Sequence, residues 1–427
     1  MNARALFAAS APVHPERHWF DERHVLLANG NRIYALNEDA RRRFESGELD
    51  LAAPPYIGEN EVPFDPPLRA ISLAVAQKCN LGCTYCYAQQ GEFGGPAKNM
   101  PLDVALRAVE LLFRDAGRGD RVNISFLGGE PLFNRPVLRA ATERTCELAR
   151  EKDVRATFSI TTNGTLLRED DAEFFEAHAF AVTISVDGLG EVHDRTRPRR
   201  NGGGSFDALL ARAQPLLAAQ RAMQVSARVT VTPHNLALRE TLDGLIALGF
   251  HSVGFSPMLR SPSGTDELSH DDLEAMLEQM VDCGDAFERA LVEGRRYPFA
   301  NAVNALREIH RGTHRPYPCG AGASYAGVSA DGELSACHRF VGDAEGAMGD
   351  LEHGLDRERQ RAWLAERHVH RQEPCRECWA RYLCGGGCHH EVIARGRPAC
   401  DYIRGWLHYC LGAYVRLLAR RPDWFGA

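Results

Sequence analysis

The sequence predicts an α/β fold whose main part is an open or partial (β/α)6 barrel of the TIM type. Six short β-rich segments between residues 70 and 258 each precede a longer helical pattern, and this order is typical of parallel βα units. Six units are fewer than the eight that close a full barrel. Ten of the 13 cysteines lie in two regions, 79–86 and 319–400, which indicates metal or redox chemistry beside the barrel.

Composition limits the class of protein. The chain has 427 residues, 44% of them hydrophobic and 25% charged, which is typical of a soluble globular protein with two or three domains. No apolar run reaches the roughly 18 residues that a membrane span needs, and the apolar stretch at the N-terminus is too short for a signal peptide. We therefore expect a cytoplasmic protein with no membrane partner. The net charge of −7 gives no general attraction to nucleic acid.

The first 66 residues are predicted to form a separate unit. HVLLANGNRIYALN (24–37) predicts a hairpin with NGN at its turn, and EDARRRFESGEL (38–49) a helix that begins at Asn37 or Glu38. The segment 51–67 is a Pro-rich linker. An exposed strand edge in this strand–strand–helix unit would capture a substrate leader peptide by strand addition. A simple cap on the barrel is the alternative.

Polar and cysteine residues follow the predicted barrel strands. Three cysteines at 79–86 follow the first strand, GGEP at 128–131 the second, TNG at 162–164 the third, and Asp187 the fourth. Because the carboxyl ends of parallel strands meet at one mouth, we expect one site there. The basic segment HDRTRPRRNGGG (193–204) is predicted to be a solvated connection, with a phosphate-binding loop as the alternative. The strands are AISLAVAQ (70–77), VNISFLGG (122–129), ATFSITTNG (156–164), AVTISVDG (181–188), QVSARVTVT (224–232) and SVGFSPM (252–258).

The three cysteines of the first strand loop are Cys79, Cys83 and Cys86, and the next cysteine is Cys146. Iron–sulfur clusters use thiolate ligands, so three cysteines would leave one iron of a 4Fe–4S cluster open to a small chelating ligand. A zinc ion is the alternative, but a three-cysteine loop alone is a poor closed zinc site. The spacing therefore favours an iron–sulfur cluster.

This motif resembles that of the radical S-adenosylmethionine (SAM) enzymes, whose hallmark C-x3-C-x-aromatic-C is matched by Cys79, Cys83, Tyr85 and Cys86. The resemblance implies that the open iron chelates SAM and that a 5′-deoxyadenosyl radical abstracts hydrogen from substrate. It also implies roles for residues of the later motifs, with no catalytic base identified. The expected SAM contacts are Tyr85 of the cysteine motif, Gly128, Gly129, Glu130 and Pro131 at the amino group, Ser185 and Asp187 at the ribose with help from Asn163, and Arg228 at the carboxylate.

The C-terminal cysteines resemble those of the SPASM domain, which holds two auxiliary 4Fe–4S clusters, although paired C-x2-C elements are also typical of zinc ribbons. The segment RGTHRPYP (311–318) lacks the further cysteine found in family members with a fully ligated cluster I. One iron of cluster I is therefore expected to be open to a substrate thiolate, unless His314 or Cys410 fills it. The resemblance assigns Cys319, Cys337 and Cys388 to auxiliary cluster I, and Cys375, Cys378, Cys384 and Cys400 to auxiliary cluster II.

The combination resembles thioether-forming maturases of ribosomally made peptides, of the six-cysteine-peptide type or the quinohemoprotein amine dehydrogenase type. It implies three 4Fe–4S clusters, SAM, a peptide or small-protein substrate with a leader, and an electron donor such as flavodoxin or ferredoxin. Formylglycine formation by a sulfatase-type maturase, C–C cross-linking, nucleic-acid modification and a non-catalytic electron carrier are the alternatives. We expect the N-terminal unit and linker at 1–66, the radical SAM barrel at 67–300 and the SPASM domain at 301–427.

Overall fold

A computed structural model describes residues 3–51 and 61–426, so most of the predicted Pro-rich linker lies outside the described residues. The N-terminal unit contains the predicted hairpin, in which Leu27 pairs with Arg32. The Asn37 side chain accepts a hydrogen bond of 2.8 Å from the amide of Ala40, which confirms that the following helix begins at this cap. The elements are α1 (Ala3–Ser10), β1 (Arg17–Trp19), β2 (His24–Leu27), β3 (Arg32–Ala35) and α2 (Glu38–Glu45).

This unit differs from the predicted strand–strand–helix arrangement, because α1 and β1 precede the hairpin. Helix α1 has only eight residues, too few for stability on its own. Its buried residues Ala3 and Leu6 belong to the main hydrophobic core. Strand β1 pairs antiparallel with β2. Both elements depend on distant partners, which is why the local sequence did not reveal them.

The barrel contains the six predicted strands, and all six run parallel in the order in which they follow one another along the chain. The prediction of an open (β/α)6 barrel is therefore confirmed. The six strands are β4 (Ala70–Gln77), β6 (Arg121–Gly128), β7 (Arg155–Thr162), β8 (Ala181–Ser185), β9 (Gln224–Val231) and β10 (Ser252–Pro257). A short strand, β5 (Lys98–Asn99), pairs antiparallel with β4. The helices of the barrel are α3 (Leu102–Arg114), α4 (Arg135–Lys152), α5 (Glu169–Ala177), α6 (Glu191–Thr196), α7 (Phe206–Ala219), α8 (Leu238–Ala247) and α9 (His270–Val292).

The two faces of the barrel sheet differ in polarity. Alternate residues such as Ile124, Phe126 and Ile160 are buried in the hydrophobic core. The residues between them are polar, and the hydroxyl oxygens of Ser125 and Ser159 lie 2.7 Å apart across β6 and β7. One face of the sheet therefore packs on the helices, and the other presents hydrogen-bonding groups.

The C-terminal region extends this sheet. Strand β11 lies parallel to β4 and is followed by three antiparallel strands, so β11 covers the edge of β4 and the barrel stays open. No helix of residues 3–51 and 61–426 is long and apolar enough to cross a membrane. The remaining elements are α10 (Ala300–His310), β11 (Tyr325–Val328), β12 (Glu333–Ser335), β13 (Ala347–Asp350), β14 (Gly354–Leu355), α11 (Arg357–Arg367), α12 (Arg381–Cys384), α13 (His389–Arg395) and α14 (Cys400–Arg420).

Candidate active site and cysteine clusters

The loop after β4 brings the cysteines at 79, 83 and 86 together. Burial raises the pKa of Cys83 to about 12, and the neighbouring thiolates of Cys86 and Cys79 add to the effect, while Arg197 opposes it. The backbone of this loop is held from across the mouth, because the amide of Gly82 donates to the carbonyl of Pro198 at 2.8 Å. We call these three residues the first cysteine set.

The basic segment 193–204 supports this loop through buried residues in its first half, whereas residues 199–204 are exposed, as the prediction of a solvated connection requires. Arg197 is buried and donates to the hydroxyl of Tyr85 at 2.6 Å. Tyr85 in turn donates to the carboxylate of Asp187, which lies 3.9 Å from the Arg197 guanidinium. Sequence reasoning missed Arg197, because a basic run gives no local sign that one of its members is buried.

Asp187 has no exposed surface. Besides Tyr85, it accepts hydrogen bonds from the amide of Thr230 at 2.9 Å and the hydroxyl of Thr196 at 3.1 Å. Burial raises the pKa of its carboxyl, which Arg197 and these hydrogen bonds oppose. The carboxylate is thus engaged within the protein, so the expected direct contact with a ribose would require one of these hydrogen bonds to be exchanged. Its position indicates that it fixes Tyr85, which lies between the second and third cysteines of the motif.

The GGEP segment packs directly on the cysteine loop. The amide of Gly129 donates to the carbonyl of Ala76 at 2.8 Å, and the amide of Glu130 donates to that of Lys78 at 2.9 Å. A Cβ on Gly129 would lie 2.3 Å from the Lys78 oxygen, and a Cβ on Gly91 would lie 2.5 Å from the Gly129 Cα. Only glycines permit this approach of three backbones, and Pro131 then begins a 3-10 turn.

Glu130 joins this segment to the end of β7. Its buried carboxylate accepts from the Thr162 hydroxyl at 2.8 Å and from the Asn163 amide at 2.7 Å. The Asn163 side chain then donates to the sulfur of Cys79 at 3.6 Å and to the side-chain oxygen Oδ1 of Asn80 at 3.0 Å. Asn163 is therefore placed to orient the cysteine loop, whereas its expected role beside a ribose would require these bonds to be exchanged.

Ser185 and Arg228 remain available for a ligand. They are register neighbours on β8 and β9, so both side chains lie on the same face of the sheet. Neither side chain has a hydrogen-bond or ion-pair partner within residues 3–51 and 61–426. Arg228 reaches solvent, yet desolvation inside the mouth and the nearby Arg339 cation lower its pKa. An unpaired guanidinium at this position suits a ligand carboxylate.

The structure also gathers the cysteines that the sequence assigned to auxiliary cluster II. Burial raises the pKa of Cys375 to about 12, and the thiolates of Cys384, Cys400 and Cys378 contribute, while Arg397 opposes the shift. All four line one cavity of about 270 Å³. Thiolates gathered beside an arginine form a suitable donor set for a multinuclear, negatively charged cofactor.

A third set contains Cys319, Cys337 and Cys388, which we call the auxiliary-I cysteines. Burial raises the pKa of Cys337 to about 12, and the thiolates of Cys388 and Cys319 contribute, while the Arg339 backbone amide opposes the shift. Cys319 is exposed. The ring of His314 lies against that of Tyr382, with centroids 3.5 Å apart and a tilt of 33°. His314 thus packs against α12.

Cys410, the other candidate for a fourth ligand, is buried in α14. The charges that act on its thiol belong to Glu288 of α9 and Arg416 of α14. The set therefore consists of three thiols, while His314 packs on Tyr382 and Cys410 lies in α14 near the charges of Glu288 and Arg416.

The spacing of the thiols distinguishes one metal ion from a larger cluster. A tetrahedral zinc ion with Zn–S bonds of about 2.3 Å holds its thiolates about 3.8 Å apart. Within the described ranges, the one group of three or more His, Cys, Asp or Glu ligand atoms all within 4.8 Å of each other is the trio His270, Asp271 and Glu274, which contains no cysteine. Each cysteine set is therefore more open than a mononuclear zinc site, which fits a multinuclear cluster.

The first cysteine set and the auxiliary-I cysteines are neighbours across the mouth. Tyr87 follows Cys86 directly, and its ring centre lies 5.2 Å from the guanidinium carbon of Arg339. Arg339 lies 3.7 Å from the sulfur of Cys388. The charges of Cys86 and Cys337 both act on the Tyr87 hydroxyl. A substrate in the mouth would therefore lie between the two sites.

Comparison with known proteins agrees with this geometry. Residues 73–243 match the Radical SAM superfamily. The chain is 26% identical over 364 residues to the serine-type anaerobic sulfatase-maturating enzyme of Klebsiella aerogenes, covering 82% of this chain and 84% of that protein. These matches include the first cysteine set and the GGEP segment.

Two solved structures share the fold. Native anSMEcpe with bound AdoMet superimposes with a TM-score of 0.68 at 19% identity, over 83% of this chain and 100% of that one. Streptococcus suis SuiB bound to precursor peptide SuiA superimposes with a TM-score of 0.55 at 15% identity, over 88% and 94% of the two chains. The cysteine-rich C-terminal region fits a SPASM domain. The chain therefore carries a radical SAM domain and is a radical SAM enzyme.

Proposed function

We propose that the enzyme modifies a ribosomally made peptide or small protein by joining a cysteine sulfur to a carbon atom of another residue. The similarity to a sulfatase-maturating enzyme and to a fold that has been solved with a bound precursor peptide supports a polypeptide substrate. The reaction removes one S–H and one C–H hydrogen from the peptide and forms one C–S bond, so the peptide is oxidised by two electrons.

One observation carries the choice of a thioether. The auxiliary-I cysteines provide three thiol ligands, His314 packs on Tyr382, Cys410 is buried in α14, and Cys319 is exposed. A 4Fe–4S cluster on three protein thiolates retains one position for an external thiolate. A substrate cysteine bound there would be held deprotonated and oriented. Such a site is suited to place a substrate sulfur beside the barrel mouth.

The first cysteine set would hold the SAM-binding 4Fe–4S cluster, which together with SAM supplies a carbon radical able to remove a hydrogen atom from substrate. Arg228 would pair with the SAM carboxylate and Ser185 would lie beside it, since both face the mouth. The backbone of Gly128 and Gly129 would meet the amino group. Asp187, Tyr85 and Arg197 would keep the loop in place rather than contact the ligand.

The N-terminal unit offers a surface for a leader peptide. Within the described residues β3 pairs with β2 alone, and its side chains are half-buried or exposed. The opposite side of the unit is occupied, because His18 of β1 stacks on Trp379 with ring centroids 3.8 Å apart. The edge of β3 is therefore the one at which strand addition by a leader would meet the least obstruction.

Oxidation of a serine or cysteine side chain to formylglycine is the second candidate. It is favoured by the sequence similarity to the Klebsiella aerogenes maturase, which extends over 82% of this chain. In this reaction a substrate cysteine loses its sulfur, or a serine loses two hydrogen atoms, and an aldehyde forms. The two candidates therefore leave chemically different products.

To test the proposal, the reconstituted enzyme is incubated with SAM, a reductant and Cys-containing peptides that are encoded beside the gene of the enzyme. Thioether formation predicts the mass loss of two hydrogen atoms, a sulfur that stays in the peptide, and a thiol that no longer reacts with iodoacetamide. Cys388→Ala should abolish this product while 5′-deoxyadenosine is still released. A product that has lost sulfur and reacts with a hydrazide would instead establish the second candidate.

A further inference from the structure

Arg339 occupies the space between the two cysteine sites at the mouth. It follows Cys337 by two residues, in the short 3-10 turn His338–Phe340. Its Nη1 atom lies 2.8 Å from a carboxylate oxygen of Glu391 and 3.7 Å from the sulfur of Cys388. Both side chains of this ion pair are more than four-fifths buried. An N–H group of Arg339 is thus aimed at an auxiliary-I sulfur and is held there by Glu391.

The other face of the guanidinium points toward the first cysteine set. The ring of Tyr87 lies 5.2 Å away, within the range of a cation–π interaction. Nε of Arg339 is buried, and within residues 3–51 and 61–426 it has no hydrogen-bond partner. Within the described residues the Nε atoms of five other arginines, Arg197 among them, are buried in the same way, so what distinguishes Arg339 is its combined contact with Glu391, Cys388 and Tyr87.

We propose that Arg339 is a positioning residue that favours the reduced form of the auxiliary cluster bound by Cys319, Cys337 and Cys388. Reduction adds negative charge to such a cluster, and hydrogen bonds to its sulfurs and nearby positive charge raise its reduction potential. Arg339 supplies both, and Glu391 fixes its direction. This inference rests on the cluster assignment within the proposed function, but not on the identity of the peptide or the bond formed.

A stabilised reduced cluster would help to take up the electron that remains after the C–S bond forms. Formation of a C–S bond leaves one electron to be taken up after the carbon radical has met the sulfur-bearing partner. A cluster whose reduced form is stabilised at the site of that sulfur accepts this electron more readily. Arg339 would therefore contribute to the substrate oxidation without touching the reacting atoms.

The experiment is a redox titration of the reconstituted full-length protein, followed by electron paramagnetic resonance. In Arg339→Met the equilibrium constant for reduction of the auxiliary-I cluster should fall at least tenfold. For a one-electron couple this is a shift of the reduction potential of about 59 mV to lower values. Arg339→Lys keeps the charge but lacks the planar fork, so it should show a smaller shift. The double variant Arg339→Met/Glu391→Gln removes both charges and should fall between Arg339→Met and the wild type.

Arg416→Met is the matched control. Arg416 pairs with Glu288 at 2.6 Å and lies 5.8 Å from the ring of Tyr409, so it shares the ion pair and the aromatic neighbour of Arg339 without a cluster cysteine. The reduction potentials of the clusters in Arg416→Met should equal those in the wild type. Iron content is measured on every variant, because Arg339→Met tests the potential only where the cluster is retained.

The outcomes are distinguishable. An unchanged potential in iron-replete Arg339→Met would overturn the inference and leave the proposed function intact. A wild type with iron for only two clusters would overturn the auxiliary-I assignment and this inference with it. Loss of the cluster in Arg339→Met with retention and a lowered potential in Arg339→Lys would support the inference. Loss of the cluster in both variants would overturn it in favour of a purely structural role.

Discussion

Replacing Arg197 by methionine tests the finding that a basic loop residue holds the cysteine motif in place. The substitution leaves the fully buried Asp187 carboxylate without its cation, 3.9 Å away. At an effective dielectric constant of about 20 this attraction is about 4 kcal/mol. Removing one partner of a buried pair costs about 3–5 kcal/mol. Asp187 keeps its bonds from Thr230 and Thr196, so we expect the lower end, about 3 kcal/mol.

The assay is urea unfolding of the iron-free protein under reducing conditions, in which cluster binding cannot contribute. Arg199→Met is the matched control, since Arg199 belongs to the same basic segment but is exposed, and its effect should stay below about 0.5 kcal/mol. Asp187→Asn combined with Arg197→Met should cost less than the sum of the single changes, because no buried charge is left unpaired. A loss below about 1 kcal/mol for Arg197→Met would refute the reasoning.

Three further predictions concern the ligand, the backbone and pH. Arg228→Gln should weaken SAM binding by at least about tenfold, the loss of one charge-assisted hydrogen bond, with iron content unchanged; calorimetric affinity equal to that of the wild type would contradict it. Gly129→Ala should remove the iron of the first cysteine set, because the added Cβ would lie 2.3 Å from the Lys78 carbonyl oxygen; full iron content would contradict it. Burial lowers the pKa of His18 to about 3 in the folded protein, against about 6.5 in the unfolded chain. As the pH is lowered from about 6.5 toward 3, His18 is protonated only in the unfolded chain, so the free energy of unfolding decreases, by about 2 kcal/mol at pH 5. His18→Gln should flatten this dependence in urea titrations, and an unchanged slope would contradict the assignment.

The sequence predicted the elements that depend on local patterns. The six barrel strands and the cap at Asn37 follow from hydrophobic alternation and helix-start chemistry, and both are present. Spacing predicted the first cysteine set and the SPASM resemblance implied the two auxiliary sets, and in the structure the members of each set lie close enough for their charges to interact. These features need only neighbouring residues or a motif whose order is fixed along the chain.

The sequence could not predict features that depend on distant contacts. Arg197 is one of several arginines in a basic run, and its burial against Tyr85 is set by a partner 112 residues away. The same holds for Asp187: the family resemblance implied a ribose contact, but its hydrogen bonds come from Tyr85, Thr196 and Thr230, which lie on the cysteine loop, α6 and β9. Strand β11 joins the barrel sheet by pairing with β4. No local sequence pattern predicts this pairing.

The central claim is that a substrate sulfur binds at the auxiliary-I cysteines, and electron paramagnetic resonance of the reduced enzyme tests it most directly. Spectra are recorded with no peptide, with a Cys-containing peptide, and with the same peptide carrying serine at that cysteine. We predict that the cysteine peptide changes the signal of one auxiliary cluster, that the serine peptide leaves that signal unchanged, and that Cys388→Ala abolishes the response. Identical auxiliary signals in all three samples, with peptide binding confirmed by calorimetry, would contradict the account.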